Sequence, residues 1–279
     1  MATIGTEHAA PGVTVYRRLY YRWEREQWEA GKLDLAPDRA AWTESLSGDE
    51  RTGLENILSL AYAVTEVSTE ALVPFVDAAP TEEQQVFLTT QLVDKGRHLV
   101  LLDRYLDEVA GDEGPIGARS GPRAERLDPG ARALVESVMD AARRVRATPG
   151  DAAALAEGVV LEHLVLTEAV LGTIRAALLR ALTQDDRLPA LRVGLTAMED
   201  DGARHLDFGV ALLSDLVRTD ASLAETVRRT AAAAESHIRS VLHSARSSTW
   251  GLEATGMQTA AATKLAEHLD AIGAGGASK

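Results

Sequence analysis

The chain of 279 residues carries 42 acidic and 29 basic side chains, and 42 − 29 leaves a formal net charge of −13. A chain this acidic lacks the basic footprint of a phosphate-backbone or anionic-membrane binder, so no nucleic acid and no membrane is expected as a partner. Without cysteine there is no disulfide, thiolate metal site or cysteine nucleophile, while 46% hydrophobic against 25% charged residues suffices for a sizeable core.

The N-terminal MATIGTEHAAPG lacks the basic start and apolar run of a secretory signal, and no stretch of ~18 uninterrupted apolar residues follows. A cytoplasmic protein is therefore expected, with residues 1–15 flexible. Aromatics are only 4%, and Ala, Leu, Glu and Arg recur with apolar residues three and four apart, the pattern of an all-α chain. A first helix is predicted from Tyr16 to Ala30, with Tyr16, Leu19, Tyr20, Trp23 and Trp28 as a packing stripe and Gly31 as its C-cap. A short segment through Asp38 and Trp42 leads to Ser47, which with Glu50 forms a capping box opening a long helix to about Phe75. After Pro80, Thr81 caps another long helix to about Ala110.

Gly111 to Gly130 is rich in Gly, Pro and charge and reads as a linker. Helices follow at about Ala131–Ala147, Asp151–Leu182, Leu188–Val217, Ala221–Ser247 and Thr255–Ile272, before a flexible tail at 274–279. Four helices of ~30 residues, each ~45 Å long, suit an antiparallel bundle. The linker is therefore expected to cross the bundle, making 16–273 one domain.

The most informative feature is a repeated D-x-x-R-H. Asp94-Lys95-Gly96-Arg97-His98 lies in the first half and Asp201-Gly202-Ala203-Arg204-His205 in the second, 201 − 94 = 107 residues later. Residues three apart share a helix face, so Lys95 points alongside His98 and Gly202 alongside His205. Thr65-Glu66 precedes the first motif by about thirty residues, and Thr167-Glu168 the second by about thirty-five. Carboxylates on one helix of each pair and a histidine on the other is the logic of a bundle holding two metals.

On these motifs, together with LYYRWEREQW, DLAPDRAAW and ALVPF, the chain resembles the ribonucleotide reductase small subunit and related ligand-binding dimetal oxidases of the ferritin-like superfamily, over about residues 16 to 215. Those proteins carry D-E-x-x-H twice. The resemblance implies a ferritin-like helical bundle, a homodimer through the long helices, and Asp94 pairing with His205 and Asp201 with His98 across the bundle. It also implies degeneracy, because the bridging glutamates read Lys95 and Gly202. Ungapped alignment places Thr65 and Thr167 at the remaining glutamate positions, leaving Glu66 and Glu168 one residue, or ~100°, away. A one-residue shift of register would restore them. The position of the reductase's radical tyrosine reads Leu102, and the C-terminal GAGGASK lacks the aromatic that docks onto a large subunit. Ribonucleotide reduction is not expected.

The leading reading is an enzyme derived from these oxidases that acts on a small organic molecule in the bundle core, with no cofactor. Its candidate catalytic residues are Lys95, Asp94, Asp201, Glu66 and Glu168, with Lys95 pairing to Glu66 or Glu168 in place of metal charge. An ammonium beside a dication is strongly repelled in a low-dielectric core, which favours the metal-free version. One alternative is a single iron or manganese ion held by His98, His205, Glu66 and Glu168. The other is a non-catalytic ligand-binding or scaffold protein. Glu162 and Glu70 read as solvated-face charges.

Overall fold

In a computed structural model, the structure describes residues 14–111 and 127–275. The predicted flexible N-terminus up to residue 13, most of the predicted linker (112–126) and the end of the tail (276–279) lie outside the described residues.

Helix α1 (Val15–Arg25) is capped by Thr14, and α2 (Ala36–Glu44) carries Pro at its first turn. The long α3 (Gly48–Ala78) opens with the capping box of Ser47 and Glu50, and α4 (Glu82–Glu108) with one made by Thr81 and Gln84. Helix α5 (Pro129–Ala147) begins at an Asp128 cap. Next comes one continuous helical run: α6 (Ala152–Val159), a π-helical segment (Val160–Gly172) and α7 (Thr173–Gln184). Helix α8 (Pro189–Thr219), α9 (Leu223–Ser244) and α10 (Ala254–Ile272) complete the described chain.

Four helical runs form the inner bundle, the π segment and α7 counting as one. Helices α3 and α4 pair as one hairpin, the π segment and α7 pair with α8 as the other, and α4 meets α8 across the middle. Helix α1 lies over both α4 and α8, so it covers the two motif helices from one side. Helix α8 is fixed at its start by Asp38 of α2, whose carboxylate accepts the Ala190 and Leu191 amides at 3.0 and 2.8 Å. Tyr105 of α4 donates to the same carboxylate at 3.0 Å, tying the register of α4 to that of α8. Among the described residues no helix is long and apolar enough to cross a membrane.

Two predicted elements need correction. The first helix ends at Arg25, not Ala30, and Gly31 lies inside a 3₁₀ turn (Ala30–Lys32) instead of capping a helix. Beyond the end of the helix, Trp28 turns inward and donates to Asp201. The predicted uninterrupted α-helix through 151–182 contains thirteen π-helical residues, which shift the faces that its polar residues present.

Candidate functional site

The two motif aspartates are fully buried and exchange partners across the bundle. His98 Nε2 lies 2.9 Å from Asp201 Oδ2, and His205 Nε2 lies 2.9 Å from Asp94 Oδ2, the pairing the sequence predicts. Trp23 donates from Nε1 to Asp94 at 2.9 Å and Trp28 to Asp201 at 2.9 Å, so these indoles are hydrogen-bond donors and not packing alone. The motif arginines complete the clamp: Arg97 pairs with Asp94 and Arg204 with Asp201, each three residues along its own helix. Arg204 also reaches Glu26 Oε2 at 2.5 Å.

This arrangement fixes protonation states. Burial alone would raise both aspartates, yet the hydrogen bonds from the facing histidine and from the indole hold each below the usual carboxylate range, with Arg204 reinforcing Asp201. Burial pushes the His98 imidazole down to about 4 against the opposing pull of Asp201, and lowers His205 in the same way. Each pair is thus a carboxylate and a neutral imidazole that donates its Nε2–H. The other nitrogen of His205, Nδ1, has no hydrogen-bond partner.

Lys95 is 2% exposed and does point alongside His98 into the bundle. Its carboxylate partner is neither Glu66 nor Glu168 but Glu162, whose Oε1 lies 3.3 Å from Nζ; Nζ also donates to Thr167 Oγ1 at 3.1 Å. Ser68 donates to the same Glu162 oxygen, and Thr167 does so at 3.4 Å. Sequence periodicity missed Glu162 because an α-helix separates residues five apart by about 140°, which puts Glu162 and Thr167 on different faces. The i→i+5 geometry of the π segment brings them onto one face.

The alternative ligand carboxylates go elsewhere. Glu168 is drawn to α10, where Lys264 Nζ lies 2.5 Å from its Oε1, and Glu66 is half-buried; neither lines the central cavity. Thr65 and Thr167 line it instead.

Gly202 makes room for a residue that sequence reading left unassigned. A Cβ at this position would sit 2.7 Å from Nη2 of Arg175, whose side chain comes from the first turn of α7. The central cavity, of about 30 Å³, is lined by Lys95, His98, His205, Thr65, Thr167 and Arg175 with apolar walls from α3, α7 and α8.

A dimetal centre does not fit this donor set. Its four positive charges need several carboxylates around two imidazoles. The positions that the resemblance aligns with its glutamates read Lys95, Gly202, Thr65 and Thr167, an ammonium, a glycine and two hydroxyls, and among the described residues no three His, Asp, Glu or Cys side chains converge.

No protein-family model matches the chain, and no curated protein does. Solved structures match over nearly the whole length. A variant of an R2-like ligand-binding oxidase with an anaerobically reconstituted Mn/Fe cofactor has a TM-score of 0.81 at 17% sequence identity, covering 97% of this chain and 95% of that one. A second variant, with the cofactor aerobically reconstituted, gives the same values. A third, anaerobically reconstituted, gives a TM-score of 0.82 at 16% identity over 99% and 96% of the two chains. The fold is thus all-α and ferritin-like, of the kind found in the ribonucleotide reductase small subunit.

Proposed function

We propose that this protein is an enzyme built on the ferritin-like oxidase fold that works on a small organic molecule in its bundle core without a metal centre. The observation that carries the reading is the buried Lys95–Glu162 pair at the place where the resemblance puts a bridging glutamate. The structural neighbours carry an Mn/Fe cofactor; here an ammonium supplies the local positive charge at a fixed point. Such a charge stabilises an oxyanion developing on a bound substrate. The neutral His205, with Nε2–H committed to Asp94 and Nδ1 unpartnered, is arranged to take a proton at Nδ1, and Asp94 stabilises the resulting imidazolium. Asp94 and Asp201 act through the histidines and are positioning residues. Lys95, His98 and His205 are the groups that meet substrate.

The test is a conversion assay on small organic acids and ketones by mass spectrometry, using Lys95→Ala and His98→Ala alongside the unmodified protein. Both variants are expected to lose turnover, and unchanged turnover in both would end the catalytic assignment. The unpartnered Nδ1 of His205 is the observation favouring a second reading, a single iron or manganese ion at His98 and His205, which requires Lys95 to leave the site.

The reading includes a cytoplasmic, single-domain homodimer. Val86, Val93 and Val100, at seven-residue spacing on α4, are 41%, 50% and 38% exposed and form an apolar stripe on a long helix, which supports self-association.

A further inference from the structure

The charges of the core can be matched pair by pair. Asp94 and Asp201 face Arg97 and Arg204, and Glu162 meets Lys95, Ser68 and Thr167 through Oε1, its Oε2 having no hydrogen-bond partner. Glu168 is taken by Lys264. Arg175 is 8% exposed, yet among the described residues it makes no ion pair and no hydrogen bond, and its Nε is buried without a partner. The carboxylates of Glu199, Glu168, Asp201 and Asp200 act on it only at longer range, and burial depresses its pKa. A buried guanidinium left this way is costly to the fold unless something else completes it.

The space in front of it sets the size of that partner. The cavity of about 30 Å³ holds two or three water-sized groups, given about 10–15 Å³ for each. A guanidinium presents parallel N–H donors in a planar fork that matches a planar oxoanion with two oxygens, and a spherical ion cannot engage both in the same way. The lining also includes Ile174, Leu178, Leu195 and Met198, so the remainder of the ligand is small and apolar.

We propose that Arg175, seated over Gly202, is the receptor for a small monocarboxylate or its planar oxoanion isostere, bound in the cavity beside Lys95. This rests on the metal-independent reading of the core and names its substrate class. It assigns Gly202 a purpose: the lost side chain clears the approach of the guanidinium to the ligand.

The experiment is thermal unfolding in a zwitterionic buffer, titrated with sodium formate against sodium chloride at equal ionic strength, on protein whose metal content has been measured. Formate is expected to raise the Tm saturably and chloride to leave it flat. Arg175→Met is expected to have a higher Tm than the unmodified protein without formate, because it removes an unpaired buried charge, and to lose the formate response. Gly202→Ala, which keeps every charge but displaces Nη2, is expected to weaken that response. A flat formate titration on metal-free protein, an equal response to chloride, or a response surviving in Arg175→Met would each overturn the assignment of Arg175. Stoichiometric iron or manganese in the same sample would instead overturn the metal-independent reading beneath it.

Discussion

The Lys95 ammonium lies 3.3 Å from Glu162 Oε1, with the two side chains 3% and 1% exposed, in the middle of a bundle whose structural neighbours hold metal. A buried pair of this kind is held by mutual attraction and by the hydroxyls of Ser68 and Thr167, and removing one partner strands the other. Lys95→Met is therefore expected to cost about 3–5 kcal/mol in urea unfolding. The double variant Lys95→Met/Glu162→Leu should recover most of the loss. A single variant as stable as the unmodified protein would show that the pair is not the charge balance of the core.

The pH dependence of stability follows from the imidazoles. Burial pushes His98 from an ordinary 6.5 down to about 4, and His163 down to about 3. The unfolded chain therefore binds these protons first as the pH falls. Their contribution is complete above pH 6.5 and is lost progressively toward about pH 4, in the same direction as that of the depressed Asp94 and Asp201. For His98 alone the displacement from 6.5 to about 4 is worth about 3 kcal/mol. Urea midpoints measured from pH 8 to pH 4.5 should fall steadily below 6.5, and constant midpoints down to pH 5 would contradict the burial of neutral histidines.

Trp28 tests the inward turn that ends α1 early. Its Nε1 donates at 2.9 Å to Asp201, and its ring stacks on His98 with centroids 6.3 Å apart. Trp28→Phe keeps most of the packing and removes the donor, for an expected loss of about 1.5–3 kcal/mol, the range for a hydrogen bond to a charged group. A loss well under 1 kcal/mol would return Trp28 to a packing role.

The exposed stripe on α4 gives a test of assembly. The unmodified protein is expected to sediment as a dimer and Val93→Lys as a monomer with unchanged helicity, since Val93 is half exposed and its side chain is not needed by the core. An unmodified protein that sediments as a monomer at all concentrations would remove the homodimer from the account.

How far the sequence could be read depended on the reach of each signal. Local rules sufficed for the capping boxes at Ser47 and Thr81, and the repeated D-x-x-R-H with its resemblance sufficed for the crossed Asp–His pairs. The repeated arginine at the fourth position was visible, and its clamp on the aspartate could have been inferred from three-residue spacing. Glu162 was hidden because periodicity assumes an α-helical turn and this stretch is π-helical. Arg175 was hidden because its meaning depends on Gly202 of another helix, a contact that no local pattern encodes. Trp23 and Trp28 were read as packing because an indole's donor finds its partner only in three dimensions.

The proposed metal-free core rests on the Lys95 ammonium standing in place of metal charge. Elemental analysis of protein produced with both iron and manganese supplied tests it most directly. Metal far below one ion per chain is expected in folded, fully helical protein. One or two tightly held ions per chain, retained through dialysis against chelator, would contradict it.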